Sequence, residues 1–257
     1  MKKKFTLLLF AILSLTMSLN AQSPLAFQWA HSVDGATTAG DNVMGMCKSS
    51  DGYYYVATTF GTSTTQKALN VWFDGELLEN EHGAYEGSPY TGTSQNNNML
   101  LQKVAKDGAV VWTTFTKKGD VDAQCTQVAP TSDGGLIIAL KCRAWVKEAG
   151  LENMLCYVDA TGSETNITGD QVQSEYRYLI IKITKTGTIE WYRKITGLVK
   201  DDKKYPTKNN IYVYGLAVDE YDNIYLAGNF RTEMYLNKSD ETKVTLVAKS
   251  SVDTWGG

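Results

Sequence analysis

The chain has 257 residues, a formal net charge of −3, and 43% hydrophobic and 11% aromatic residues. That length suits one large domain or two small ones, and the composition is globular, far from the apolar-poor, charge-rich balance of disorder. A weakly acidic balance argues against nucleic acid and against an anionic membrane surface as partners.

Residues 1–21 read as a secretory signal. Lys2, Lys3 and Lys4 form its basic start, residues 5–15 its apolar stretch, and Ala21 a small residue before the cut, leaving Gln22 first. The apolar run is too short to span a bilayer, and Ser14, Thr16 and Ser18 interrupt its end. No Cys lies near the cut, so a lipid anchor is not expected. Removing three lysines and no acid from 25 basic and 28 acidic residues leaves a net charge of −6. The expectation is an exported mature chain, residues 22–257, with no membrane span. It would lie in the periplasm, on the outer cell surface or in the medium.

After the signal a unit recurs three times. Its first copy starts at Gln28-Trp29 and continues to Asp51-Gly52 and the strand-like residues 53–57. The second reads residues 100–104, Lys106-Asp107-Gly108, Val110-Val111-Trp112, then Asp133-Gly134 and Leu136-Ile137-Ile138-Ala139. The third reads residues 178–183, Lys185-Thr186-Gly187, Ile189-Glu190-Trp191, then Asp222-Asn223 and Ile224-Tyr225-Leu226-Ala227. Short β-branched and aromatic runs after Asp-Gly or Asp-Asn predict strands entered from tight turns. No long stretch beyond the signal has helical periodicity.

Trp29, Trp112 and Trp191 are spaced by 83 and 79 residues. A four-stranded propeller blade takes roughly 40 to 50. The excess lies in polar segments, residues 61–98, 143–177 and 198–210, and strand-like pieces such as 69–73 and 243–247 also occur. Each unit should therefore end in an outer strand or hairpin and a long surface loop.

Ala217-Val218-Asp219 with Asp222-Asn223-Ile224-Tyr225-Leu226-Ala227-Gly228-Asn229-Phe230 resembles the bacterial β-propeller repeats called SBBP repeats. The other two copies match more loosely, with Ala139-Leu140-Lys141 and Ala57-Thr58-Thr59 in place of Ala-Gly-Asn. The resemblance implies an exported, often surface-associated propeller and no particular activity. The expected fold is all-β and propeller-like. It has three recognisable blades of antiparallel strands with long inter-strand loops, over approximately 22–98, 99–177 and 178–257. Trp112, Trp191, Ile138 and Leu226 should pack between blades.

The first unit lacks a preceding strand, and three blades are fewer than the usual four. The sequence therefore suggests an incomplete ring, a truncated member of a longer propeller. The alternative is three oversized blades in a closed or dimeric arrangement. Open ends would expose strand edges and allow self-association.

Chemical signals are sparse. Export permits disulfides among Cys47, Cys125, Cys142 and Cys156. Cys142 and Cys156 could face each other across a hairpin, and buried thiols on strands are the alternative. Only His31 and His82 occur, and no Cys pair has ligand spacing, so neither a zinc site nor a catalytic histidine is expected. Asp51, Asp133 and Asp222 are read as structural turn residues. Asp219 and Asn223 could contribute to a calcium site, but the spacing fits no full calcium loop, and the favoured reading is that Asp222-Asn223 makes a turn while Asp219 caps a strand end by accepting backbone amide hydrogen bonds. No other cofactor is expected. Glu76, Glu79, Glu81 and Glu86 crowd one segment with Tyr85 and Tyr90, the candidate ligand contacts of a glycan-stacking rim.

The expected function is a non-catalytic binding or scaffold protein that presents loops to a protein or glycan at the cell surface. The alternative is a propeller enzyme. Residues 186–191, Thr-Gly-Thr-Ile-Glu-Trp, resemble the Thr-Gly-Xaa-Xaa-Xaa-Trp turn of quinone-cofactor dehydrogenases, although no adjacent Cys pair is present. A glycan-active enzyme using two acids is its second form.

Overall fold

The structure is a computed structural model that describes residues 30–35, 42–62, 68–69, 71–73, 76–77, 85–86, 96–117, 121–144, 154–168, 176–197, 211–230, 233–236 and 244–247. The chain divides into two compact units, Met1–Ala30 and His31–Gly257. Of the first, only Ala30 is described, so the expected signal lies outside the described residues.

The second unit is built from antiparallel strands, with no helix among the described residues. Strand β1 (Val33–Gly35) precedes a hairpin of β2 (Asn42–Lys48) and β3 (Tyr54–Thr62). Four short strands follow: β4 (Ala68–Leu69), β5 (Val71–Phe73), β6 (Glu76–Leu77) and β7 (Tyr85–Glu86). Long hairpins come next, β8 (Asn96–Val104) with β9 (Val110–Lys117) and β10 (Val121–Pro130) with β11 (Leu136–Ala144). A short hairpin, β12 (Met154–Val158) and β13 (Glu164–Thr168), precedes β14 (Tyr176–Ile183) and β15 (Ile189–Gly197). The last are β16 (Ile211–Val218) with β17 (Ile224–Phe230), and β18 (Glu233–Leu236) with β19 (Val244–Val247).

Two six-stranded sheets result, ordered β13-β12-β9-β8-β3-β2 and β10-β11-β14-β15-β18-β19. Each is a four-stranded meander extended at its outer edge by a short hairpin, here called a strap. The strap does not come from the meander it extends. β12–β13 lies between β11 and β14 of the second sheet yet pairs with β9 of the first. In the same way β18–β19 follows β17 and pairs with β15 of the second sheet. β5–β6 lies between β3 and β8 and pairs with β1. Of the polar segments, residues 61–98 hold β5–β6 and residues 143–177 hold β12–β13, each paired with a sheet other than the one it interrupts, and residues 198–210 lie outside the described residues. The sheets also run out of phase with the sequence units, because β8–β9 joins β2–β3 and not β10–β11.

The sheets stack face to face, and β10 packs against both β2 and β16. The layer between the first and second sheets holds Tyr55, Ala57, Met99, Leu101, Leu155 and Tyr157 on one side. Leu136, Ile138, Leu140, Leu179, Ile181 and Ile183 face them. The other face of the second sheet, with Ile137, Ala139, Tyr178 and Ile180, packs on Ile211 and Val213 of the β16–β17 hairpin. Burial on both faces explains the unbroken apolar run Leu136-Ile137-Ile138-Ala139-Leu140. Each leucine or isoleucine of the run contributes about 2 kcal/mol.

Ile138 is buried, and Trp112 and Trp191 pack against the two core layers. Leu226 departs from expectation. It is 39% exposed, because β16–β17 is a two-stranded sheet and β17 has no strand beyond it among the described residues. The first strand of each meander carries one β-bulge, at Met44, Thr126 and Tyr214. An extra residue at one place in three strands adds the same local bend and twist each time. The four cysteines are thiols in no disulfide. Cys142 lies on β11 of the second sheet and Cys156 on β12, which joins the first, so they do not share a hairpin.

Candidate functional site

Six hairpin turns share one geometry. They are residues 49–53, 105–109, 131–135, 159–163, 184–188 and 219–223. In each, the amide of the first residue donates to the fifth carbonyl, and the amide of the fourth donates to the first carbonyl. This is the three-residue hairpin loop with a left-handed fourth residue. Glycine fills that place at Gly52, Gly108, Gly134, Gly162 and Gly187, with φ between 84° and 95°. In the last turn it is Asp222, at φ 62°, the one described non-glycine residue with positive φ.

Side-chain oxygens satisfy the remaining turn amides. Asp133 accepts from Gly135 N at 3.0 Å and from Thr131 Oγ1 at 2.6 Å. Asp219 accepts from Tyr221 N and Asn223 N, both at 2.9 Å. In the last turn the amide-capping acid is therefore Asp219 at the first position. Asp222 aligns with Gly52 and Gly134, one place on from Asp51 and Asp133. Asp51, Asp133 and Asp222 lie within the turns 49–53, 131–135 and 219–223. Hydrogen bonds with Asn223, outweighing slight burial, hold the Asp219 carboxyl below the usual carboxylate range.

These turns meet along one rim of the stacked sheets. Tyr55 donates its hydroxyl to Gly134 O at 2.6 Å, and Ser50 donates to Ser132 O at 3.1 Å. Ser132 donates in turn to Asp222, from its amide at 2.8 Å and its hydroxyl at 2.7 Å. Trp112 Nε1 donates to Lys185 O at 3.0 Å. Its ring lies against Gly187, where a Cβ would sit 2.5 Å from Ala160 Cβ and 3.2 Å from the indole. His31 Nε2 donates to Gly108 O at 2.6 Å, so this histidine joins the rim as a turn contact. His82 and Tyr90 lie outside the described residues. Tyr85 is on β7, opposite Leu69. The structure thus gives the expected glycan rim a backbone position only.

Two lysines that the sequence reading passed over organise the rim. Lys103, with its side chain 6% exposed, pairs with Asp51 at 2.8 Å. It also donates to Lys185 O at 3.3 Å and lies 4.4 Å from the Tyr53 ring centre. Lys182 pairs with Asp133 at 2.9 Å and Glu190 at 3.1 Å. Both occupy the next-to-last place of a third strand, interrupting apolar runs at the same point. That interruption, opposite a turn acid, was the readable signal. Burial raises the Asp51 carboxyl, but hydrogen bonds from Lys103 and Ser49 and the lysine charge outweigh it, leaving a net lowering. The hydroxyl of Thr131 and then Lys182 bring Asp133 down to about 2. Asp133 and then Glu190 raise Lys182.

Among the described residues no three His, Cys, Asp or Glu side chains are grouped to hold a metal ion, which bears on the calcium expectation only weakly. No described helix is long and apolar enough to cross a membrane. No protein-family model, curated protein or solved structure matches this chain.

Proposed function

We propose that this chain is an exported, non-catalytic binding or scaffold protein, and that its stacked sheets are blades of a β-propeller. The observation that carries this reading is how the rim uses its charged side chains. Asp51, Lys103, Asp133, Lys182, Glu190 and Asp222 are bonded to one another, to their own turns or to a neighbouring sheet. Such a rim is a rigid platform, and rigid platforms present connecting segments to partners. The stacking of β2, β10 and β16 supports the propeller reading, and the motif ending Asp222 to Phe230 supports the likeness to SBBP repeats. The partner would be a protein or a glycan at the cell surface.

The experiment takes the purified exported protein through three steps. An absorbance spectrum looks for a bound quinone. A polysaccharide panel is then scored separately for binding and for product release. Binding without turnover supports the proposal, whereas a quinone band or released product overturns it in favour of the enzyme reading. Exchanging Tyr85 and Tyr90 together for alanine should weaken glycan binding at least tenfold, since a stacked aromatic supplies about 1 kcal/mol or more. Unchanged affinity would remove those two residues from the site. N-terminal sequencing of the exported protein should begin at Gln22.

A further inference from the structure

We propose that the outward face of the β16–β17 hairpin is an interaction surface, and that its partner is the reverse face of β2–β3 in a second copy of this chain. The argument starts from an interface that the chain already contains, between its first and second sheets. There the first sheet presents three residues. Gly45 lets Val128 approach, so that a Cβ would lie 3.1 Å from the valine Cγ2. Tyr55 donates its hydroxyl to Gly134 O at 2.6 Å. Ala57 is fully buried on the same side.

The bulges and turns fix the corresponding places on β16–β17. The bulge before Gly45 matches the bulge before Gly215, and the turn before Tyr55 matches the turn before Tyr225. Corresponding residues are then Gly215, Tyr225 and Ala227. All three are the same residue types as in the first sheet. The second sheet has Gln127, Ile137 and Ala139 there, so the fold itself does not impose glycine and tyrosine. Yet Tyr225 is 57% exposed, Tyr214 at the bulge 63% exposed, and Ala227 exposed. The Tyr225 hydroxyl donates to Asp219 of its own turn at 3.0 Å, where Tyr55 reaches a neighbouring sheet.

The receiving half is also present, and its β2 part is exposed. Inside the chain the receptors are Val128, Cys125 and the carbonyl of Gly134. On the reverse face of β2–β3 their counterparts are Met46, Val43 and Gly52. Met46 is 61% exposed and Val43 68% exposed. β16–β17 supplies the first and second strands of a meander. On the other side β1, with its β5–β6 strap, supplies a fourth strand that already lies against β3. Docking would set Met46 over Gly215 and direct the Tyr225 hydroxyl to Gly52 O. The two patches differ, so the contact is head-to-tail, and two such contacts can close a two-copy ring.

The test is light scattering after size exclusion on the wild-type chain and on two surface variants, Ala227→Glu and Met46→Glu. Neither side chain is buried, so folding should be unaffected, and circular dichroism and thermal unfolding check this. The wild type should run at twice the monomer mass, and each variant alone should be monomeric, weakened about 100-fold or more by a charge in an apolar contact. An equimolar mixture of the two variants should regain association, because one of its two contacts is intact. Tyr225→Phe removes one hydroxyl donor from each of the two contacts and should weaken the dimer about tenfold or more. A wild type that stays monomeric at millimolar concentration overturns the proposal. So does a dimer that both folded glutamate variants leave intact, or a variant mixture that stays monomeric.

Discussion

Asp222 holds a backbone conformation that five glycines hold elsewhere in the molecule. A side chain at positive φ costs about 1 kcal/mol, less for Asp than for most residues. Against that cost stand two charge-assisted bonds to Ser132. Asp222→Gly loses the bonds and relieves the backbone, so it should change stability by less than about 1 kcal/mol. Asp222→Ala loses the bonds and keeps the strain, and should cost about 1 kcal/mol more than the glycine variant. Urea denaturation of both variants checks the order. The Asp51–Lys103 pair is asymmetric in another way, because Lys103 is the buried member and Asp51 is 32% exposed. Removing the acid strands a buried cation, so Asp51→Ala should cost about 3 kcal/mol. Lys103→Met leaves an acid that water can reach and fills the same space, and should cost about 1 kcal/mol. Equal losses in the two variants would show that burial of the lysine does not set the energetics.

At the scale of turns and strands, glycine acts in two separable ways. Gly52 needs only its left-handed backbone, since nothing lies within 4 Å of a Cβ there. Gly187 needs both the backbone and the room, with Ala160 and the Trp112 ring pressed against it. Gly52→Ala should cost about 1 kcal/mol, and Gly187→Ala more than about 2 kcal/mol, because the indole must also move. Thermal unfolding should separate the two, and near-UV circular dichroism should register the displaced Trp112 only in the second.

Most turns were legible in the sequence, because Asp-Gly between apolar runs has one inexpensive hairpin geometry. Asp222-Asn223 imitates that pair, but Asp222 holds the place that glycine holds in the other turns. The all-β class was legible, but which strands share a sheet was not, since β8–β9 joins β2–β3 and not β10–β11. The straps were invisible as pairings. β5 and β12 are three and five residues long, and each finds its partner in the sheet before its own. The exposure of Leu226 was equally hidden, because an apolar strand residue carries no sign of whether a neighbour covers it. The rim lysines were hidden inside runs that read as strand core.

Across the whole molecule the rim ion pairs give stability a pH window. The carboxyl of Asp133 is held at about 2 in the fold, against about 3.9 in an unfolded chain. Its contribution is complete above about pH 4 and is lost as pH falls towards 2. Lys182 is shifted upward, so its contribution is complete below about pH 10 and is lost above its folded value. The unfolding temperature should therefore be level between about pH 5 and 9 and fall on both sides. Lys182→Met should remove the Lys182 part of the alkaline limb and only lessen the acid limb, because the Thr131 hydroxyl still lowers Asp133. The exposure of Asp133 and Glu190, 48% and 44%, keeps the contribution of each pair within about 1 kcal/mol.

The borrowed straps impose an order of events on a chain made from its N-terminus. β9 is complete at Lys117, but the strand that covers its outer edge ends at Val158 and the one beyond at Thr168. For a chain that emerges N-terminus first, that edge stays open until residues 118–158 have followed it. It closes only once β11 has been made, and the second sheet then waits in the same way for β18 and β19. Maturation therefore travels along the molecule in one direction, each layer sealed by the arrival of the next.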